Sequence, residues 1–505
     1  MEKTESKYFN QDKKKGLETA LFVCFSVCVG IGFLFYCFTK ATDADYLWHI
    51  RLAEDILKAR ALPTVDTYSW RSMEMGYTEF AHSWLGSVIL GSMIKAIAST
   101  GCSLMFSGRL FSLFWYLVCV LIVRHTFYKE RVTWTYTLAC VYIAQTYSLI
   151  RIQNLSNILF VLMLCVLYRS KKPWQLFWLP ILTILCANIH GGIAIIFVGV
   201  QLVYTIWQEI PKFRIGTFEH TPVQEYKMKS AYALASFLSV LAIRINPYGA
   251  RLYTYFLHVE NDAFSTKYVF EWMPISVKGL DYILIIVLLA LPLLQRKCIN
   301  ILRYGLVLGF FVLSCKYRRF AGYALIGSMP LLAEYGELFC VETEGRLKKV
   351  LLGVKNVIIT AAVPVLLLMI AWWSWMIQYA TVSEDASFGV LQLNAEEITY
   401  LKTAGYQRPF CDYNCGADLI YIGVKPFVDS RADLYVGGEL GDMADLITQT
   451  KPREALDEIM DKYAFDATIT PVNRSYGFQN YMSAKDNWVL DYKGEHIIVY
   501  KYVGN

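Results

Sequence analysis

The hydrophobic pattern opens with a charge-free apolar run of 20 residues, Thr19 to Phe38. Such a run is long enough to cross the roughly 30 Å hydrocarbon core of a bilayer. Asp43 and Asp45 follow at once, and then Tyr46, Ile50, Ala53 and Leu57 recur at helical spacing opposite His49, Arg51, Glu54, Asp55 and Lys58. The spacing predicts an amphipathic helix lying on the membrane surface, with two carboxylates at its start.

Further apolar runs predict spans over 104–123, 132–150, 152–168, 174–190, 191–207, 230–245, 280–295, 301–315, 320–336 and 356–379. Trp84 to Ala98 is also apolar, but it is only 15 residues long and is followed by a polar turn. Read as an embedded or interfacial helix, it leaves about eleven crossings. The basic loops at 124–131, 169–173, 208–229, 296–300 and 341–350 then share the cytoplasmic side with Lys3, Lys7 and Lys13 to Lys15. This satisfies the positive-inside rule for all of these loops, with Lys316, Arg318 and Arg319 as the strongest exception and no cleaved signal peptide expected.

The expected fold is therefore a polytopic α-helical membrane protein of the plasma membrane. Residues 1–18 form a cytoplasmic N-terminus, and 19–380 a transmembrane domain with an outer loop at 39–103. Residues 385–505 form a small extracytoplasmic α/β domain. In that last part 398–404 and 444–460 read as helices. The segments 419–428, 467–471 and 488–502 read as strands, the last as a hairpin about Lys493-Gly494.

Composition agrees: 56% of the 505 residues are hydrophobic, too many for a soluble chain. The net charge of +6 is mild, and no nucleic-acid partner is expected. Most of the 13 cysteines fall in apolar runs and read as small buried hydrophobes. Cys411 and Cys415 stand in the soluble part and are open to either a small disulfide loop or two free thiols.

With this topology the outer ends of the spans collect Asp43, Asp45, Glu79, His82, Arg109, Arg151, Gln153, Asn154, Asn188, His190, Asn246, Glu271, Lys316, Arg318 and Arg319. Ionisable groups near membrane depth tend to face a cavity or a partner, so their convergence marks an extracytoplasmic site. Guanidinium groups suit a phosphate, which makes Arg109, Arg151, Arg318 and Arg319 candidates for a lipid-linked phosphate. Simpler roles stay open for each. Asp43 or Asp45 caps a helix, Arg109 snorkels, Arg318 and Arg319 meet lipid headgroups, and Asn246-Pro247-Tyr248-Gly249 makes a turn.

The motifs Asp43-x-Asp45-x-x-Trp48-His49-Ile50, Pro63-x-x-Asp66-x-Tyr68-Ser69 and Glu79-x-x-His82-x-Trp84-Leu85 resemble the first outer loop of bacterial GT-C superfamily glycosyltransferases. Arg151-x-Gln153, Asn188-x-His190-Gly191, Asn246-Pro247-Tyr248-Gly249, Glu271-Trp272 and Phe427-x-Asp429-x-Arg431-x-Asp433-x-Tyr435 extend the likeness over nearly the whole chain. It is more distantly similar to protein O-mannosyltransferases, aminoarabinose transferases and oligosaccharyltransferases.

The resemblance implies a sugar donor carried on polyprenyl phosphate and a glycan, lipid or protein acceptor outside the cell. It makes Asp43 or Asp45 the catalytic carboxylate. Trp48, His49, Glu79, His82, Asn154, His190, Asn246 and Glu271 then belong to the acceptor side and pocket. A divalent cation such as Mg or Mn at Asp43 and Asp45 is compatible with the motif, although two carboxylates are too few to specify one. The alternatives are a flippase of lipid-linked sugars, which would want polar groups at the bilayer midplane, and a non-catalytic scaffold of envelope assembly.

Overall fold

A computed structural model describes residues 45–78, 80–128, 140, 149–254, 299–338, 390–435 and 437–504, with single residues and short stretches between 267 and 290. Asp43, Glu79 and Glu271 lie outside the described residues. So do the expected spans 19–38 and 356–379, and almost all of 132–150.

The first part is helical. Its elements are α1 Tyr46–Ala59, α2 Trp70–Met75, α3 Trp84–Ala98, α4 Leu104–Phe127, α5 Gln153–Arg169, α6 Trp178–Ile189, α7 Gly191–Trp207, α8 Tyr226–Ala242, α9 Ile301–Ser314, α10 Ala321–Gly327 and α11 Met329–Leu338. Among the described residues one helix, α4, is long and apolar enough to cross a membrane. The expected span 320–336 is broken at Ser328, whose hydroxyl donates to the Leu325 carbonyl at 2.5 Å.

Helices α5 to α8 alternate in direction and α9 runs the same way as α8, so residues 150–153, 190, 245–252 and 315–320 gather at one end of the bundle. At the other end the basic stretch 208–229 holds a hairpin that the sequence reading missed. Strand β1 Phe213–Ile215 pairs antiparallel with β2 Phe218–His220, and β2 pairs parallel with β3 Ile299–Asn300.

The amphipathic helix expected after Asp45 forms as α1, with Tyr46, Ile50 and Ala53 buried and Arg51, Glu54, Asp55 and Lys58 not; Leu57 and His49 depart from the pattern. Leu57 is exposed while His49 and Trp48 are buried, because α1 packs on α3 along one side and on a C-terminal helix along the other. Small residues permit the first contact: a Cβ on Gly91 would come within 2.6 Å of the Ala53 Cβ. On the opposite flank of α3, a Cβ on Gly86 would meet the Ile189 carbonyl oxygen at 2.3 Å.

Residues 390–504 form a layered α/β unit comprising α12 Ala395–Ala404, β4 Pro409–Cys411, α13 Gly416–Ile422, α14 Glu439–Thr448, α15 Arg453–Tyr463, β5 Ala467–Pro471, α16 Tyr476–Ser483, β6 Trp488–Lys493 and β7 Ile497–Tyr502. The sheet order is β4-β5-β7-β6, with β4 and β5 parallel and the other pairs antiparallel. All five residues of β5 are buried, since apolar clusters cover both faces.

Two expectations are corrected here. The strand expected at 419–428 is the helix α13 followed by an extended segment. The N-terminal residue of α13, Gly416, packs so closely on this segment that a Cβ would lie 2.4 Å from the Val428 carbonyl oxygen. The helix expected at 444–460 is two helices, α14 and α15, separated by Gln449 in the left-handed region at φ 54°.

The core of this unit is completed from outside it. Trp70, on α2 in the loop after α1, inserts between Phe427 and Phe465 with ring centroids 5.5 and 6.0 Å away, and its indole N–H donates to the Pro409 carbonyl at 3.1 Å. Arg408 lies over its ring at 4.4 Å. Gly86→Ala is expected to lower stability by about 1 to 3 kcal/mol through overpacking. Gly199→Ala, where a Cβ would meet nothing within 4 Å, should leave the melting temperature unchanged or raise it.

Candidate functional site

Asp45 holds the N-cap position of α1, half-buried, and its side chain makes no capping hydrogen bond. One turn on, the His49 amide donates to the Asp45 carbonyl at 3.3 Å. The His49 ring is buried, stacks on Trp48 at 4.0 Å, and places Nδ1 2.8 Å from Ser87 Oγ of α3. Burial, helped by the nearby His82, Arg151 and Arg431, pushes its pKa down to about 3, so the ring is neutral.

His190 stands at the break between α6 and α7, where the sequence reading placed the end of one apolar run and the start of the next. It too is buried, with Nδ1 3.0 Å from Ser156 Oγ of α5. Arg319, His82, His49 and Arg151 all lie within electrostatic reach of it. His82 arrives from the loop before α3 and is fixed by its backbone, whose carbonyl accepts the Gly191 amide at 3.2 Å. Burial lowers the His82 pKa, and the exposed Asp433 carboxylate partly offsets this. Three histidines and the guanidinium groups of Arg151 and Arg319 thus meet at one end of the bundle, one turn from Asp45.

The C-terminal unit covers this cluster through a buried ion network. Arg431 donates from Nη1 to Asp66 Oδ1 at 2.6 Å, and from Nε and Nη2 to the two Asp429 oxygens at 2.8 and 2.7 Å. The Ser72 hydroxyl and the Ser69 amide donate to Asp66 Oδ2, and the Tyr435 hydroxyl donates to Asp429. Burial alone would raise the Asp66 pKa, but the Arg431 charge and these hydrogen bonds outweigh it and hold the carboxyl below its ordinary range. The Arg431 guanidinium also lies 5.7 Å from the Trp48 ring centre and 5.2 Å from that of Tyr68. Of the three alternating charges at 429–433, Asp429 and Arg431 are buried and Asp433 is exposed.

The remaining candidates separate. Arg109 is wholly buried inside α4, so it does not snorkel to the lipid headgroups. The next turn of α4 meets the 149–154 segment, where Asn154 Nδ2 donates to Ser112 Oγ and to the Leu149 carbonyl, both at 3.0 Å. Asn154 thus braces the segment that carries Arg151. Asn246 serves its own turn, donating to the Gly249 carbonyl at 3.0 Å and accepting from the Tyr248 amide at 2.7 Å.

Of the arginine pair, Arg319 reaches the cluster and lies over the Trp272 ring at 4.4 Å, whereas the Arg318 amide donates to the Met273 carbonyl at 2.7 Å. Cys411 and Cys415 are buried free thiols, raised in pKa by burial. Asp66 and Arg431 were visible only as letters within longer motifs. Nothing in the sequence pairs two residues so far apart.

Beside the cluster an open apolar groove of about 500 Å³ runs between α3, α6 and the 245–247 turn, lined by Trp84, Leu85, Ile184, Leu185, Ile245 and Pro247. Among the described residues no group of three His, Cys, Asp or Glu side chains could hold a metal ion.

Solved structures share this architecture. The archaeal oligosaccharyltransferase AglB from Archaeoglobus fulgidus, in complex with an inhibitory peptide and a dolichol-phosphate, superposes with a TM-score of 0.54 at 11% identity, over 88% of this chain and 69% of that one. ArnT from Cupriavidus metallidurans in the apo state gives 0.52 at 11% identity, over 95% of this chain and 98% of that one. The chain has a GT-C-like fold. No protein-family model matches the sequence, and no curated protein does.

Removing Arg431 would strand two buried carboxylates, so Arg431→Met is expected to cost about 3 to 5 kcal/mol of stability in a melting experiment. The pH dependence follows from two signs. Asp66, held low, contributes stability that is present above the unfolded carboxylate pKa and lost as pH falls through its folded value. His49, at about 3 against 6.5 unfolded, contributes fully above pH 6.5 and progressively less below it. Between pH 6.5 and 5 the His49 term alone amounts to about 2 kcal/mol. Wild-type melting temperature should fall over that window, and His49→Gln should flatten the fall.

Proposed function

We propose that this protein is an integral membrane glycosyltransferase of the plasma membrane, taking a sugar from a polyprenyl-phosphate-linked donor. The carrying observation is the convergence of Arg151 and Arg319 with His82 and the buried His49 and His190 one helical turn from Asp45, within a GT-C-like fold. The site and the C-terminal unit face outward, with the N-terminus in the cytoplasm, as the distribution of basic loops favours.

The chemistry needs two things in one place. A carboxylate, Asp45 or its neighbour Asp43, accepts the proton of an acceptor hydroxyl as that oxygen bonds to the anomeric carbon. The bond from that carbon to the phosphate oxygen breaks with its electron pair, and Arg151 and Arg319 stabilise the leaving lipid phosphate. Arg109, deep in α4, reinforces the positive field, and Arg318 stands behind Arg319. The apolar groove beside Trp84 and Pro247 suits the polyprenyl chain, which would hold the phosphate at the height of the arginines.

The acceptor, an envelope glycan, lipid or protein, enters beneath the C-terminal unit past His82 and Asp433. Polar groups crowd one end of the bundle rather than its midplane, which favours transfer over transport.

Mass spectrometry of lipid and glycan pools tests this in cells that have the protein, lack it, or carry Asp43→Asn/Asp45→Asn. One polyprenyl-phosphate sugar should accumulate, and that sugar should disappear from an envelope component, both without the protein and with the double variant. Unchanged pools, or full rescue by the variant, would overturn the reading.

A further inference from the structure

Two buried histidines are held in the same way from two different walls of the site. Ser87 Oγ lies 3.1 Å from the Ser83 carbonyl and 2.8 Å from His49 Nδ1. Ser156 Oγ lies 3.0 Å from the Gln153 carbonyl and 3.0 Å from His190 Nδ1. Each carbonyl can only accept, so a hydroxyl that gives it its proton is an acceptor towards the ring; each ring then carries its proton on Nδ1 and leaves Nε2 as a bare lone pair.

The contrast with His220 at the far end of the bundle shows that the choice is local. There the Trp207 indole N–H donates to Nδ1 at 2.8 Å, so the proton sits on Nε2, 3.1 Å from the Ile210 carbonyl. Every polar atom of His220 is used within the fold. His49 and His190 make no second side-chain hydrogen bond among the described residues. In that form each ring keeps an acceptor nitrogen within electrostatic reach of the Arg151 charge, His49 also of Arg431 and His190 also of Arg319.

We propose that His49 and His190 are a matched pair of hydrogen-bond acceptors that read two hydroxyl groups of the ligand, one from each wall of the site. A phosphate ester without hydroxyl protons offers nothing to these nitrogens, whereas a sugar offers several. The arginines then recognise the anionic end of the ligand and the histidines its polyol end, and neither ring acts as a base. This rests on the sugar-transfer reading for the identity of the ligand, but the state of the rings can be measured without any transfer assay.

The test is two-bond ¹H–¹⁵N spectroscopy of the full-length, histidine-labelled protein in lipid nanodiscs at pH 7, with His49→Gln and His190→Gln as assignment variants. Both rings should be found in the Nδ1–H form. Ser87→Ala should mix the tautomers of His49 alone, and Ser156→Ala those of His190 alone. Decyl glucoside, which supplies sugar hydroxyls, should move both Nε2 resonances, and decyldimethylamine oxide, with the same tail and no hydroxyl, should move neither.

A proton on Nε2 of either wild-type ring would overturn the proposal, even if either serine variant failed to fold. So would Nε2 resonances indifferent to the glucoside, or equally sensitive to both amphiphiles. Lipid and glycan pools that do not change when the protein is removed, with the tautomers as expected, would count against the transferase reading and not against the ring assignment.

Discussion

The buried pairing of Arg431 with Asp66 and Asp429 is the interaction on which the arrangement of the molecule depends. It joins the loop after α1 to a turn of the C-terminal unit: Arg431 is held by Asp429 within its own unit, whereas Asp66 finds its counter-charge only across the contact. Ion pairs of this kind contribute little net stability compared with apolar contacts, but leaving one half unpaired is costly. The pair therefore acts as a condition on assembly: the C-terminal unit seats correctly or leaves charge stranded. Trp70, inserted nearby into the core of that unit, supplies the apolar adhesion that a charge network cannot.

The seating of this unit gives the site its physical character. Trp48, His49 and Arg431 stack over one another where α1 passes between the helical bundle and α13. Water is largely excluded, and the histidines respond by staying neutral. The arginines cannot respond in that way and remain charged. Fixed positive charge and neutral rings one turn from a carboxylate are what the proposed ligand, an anion that carries hydroxyl groups, requires.

Much of the helical scaffold was legible in the sequence because its signals are local. Trp84–Ala98 and Gly191–Trp207 are observed as read, since run length and the His190-Gly191-Gly192 turn fix them without reference to the rest of the chain. Strand β5 at 467–471 was likewise carried by a short β-rich run. What failed depended on distant contacts. The apolar stretch from Leu419 suits a strand or a helix equally, and the Gly416 contact with Val428 selects the helix. The helix α1 looked like a surface helix because half of its partners lie more than 350 residues away. The site was legible as a collection of residues but not as a structure: the span topology suggested His190, Arg151 and Arg319 and the resemblance His49, while the serine anchors of the histidines and the Arg431 roof belong to tertiary structure.

The central claim is that a lipid phosphate binds at the histidine and arginine cluster beneath the C-terminal unit. Its most direct test is an electron cryomicroscopy structure of the protein in nanodiscs with polyprenyl phosphate. The account places the phosphate within hydrogen-bonding reach of Arg151 and Arg319, with the lipid chain in the groove beside Trp84 and Asp45 across the cavity. A phosphate bound at the opposite end of the bundle, near β1 to β3, or away from both arginines, would contradict it.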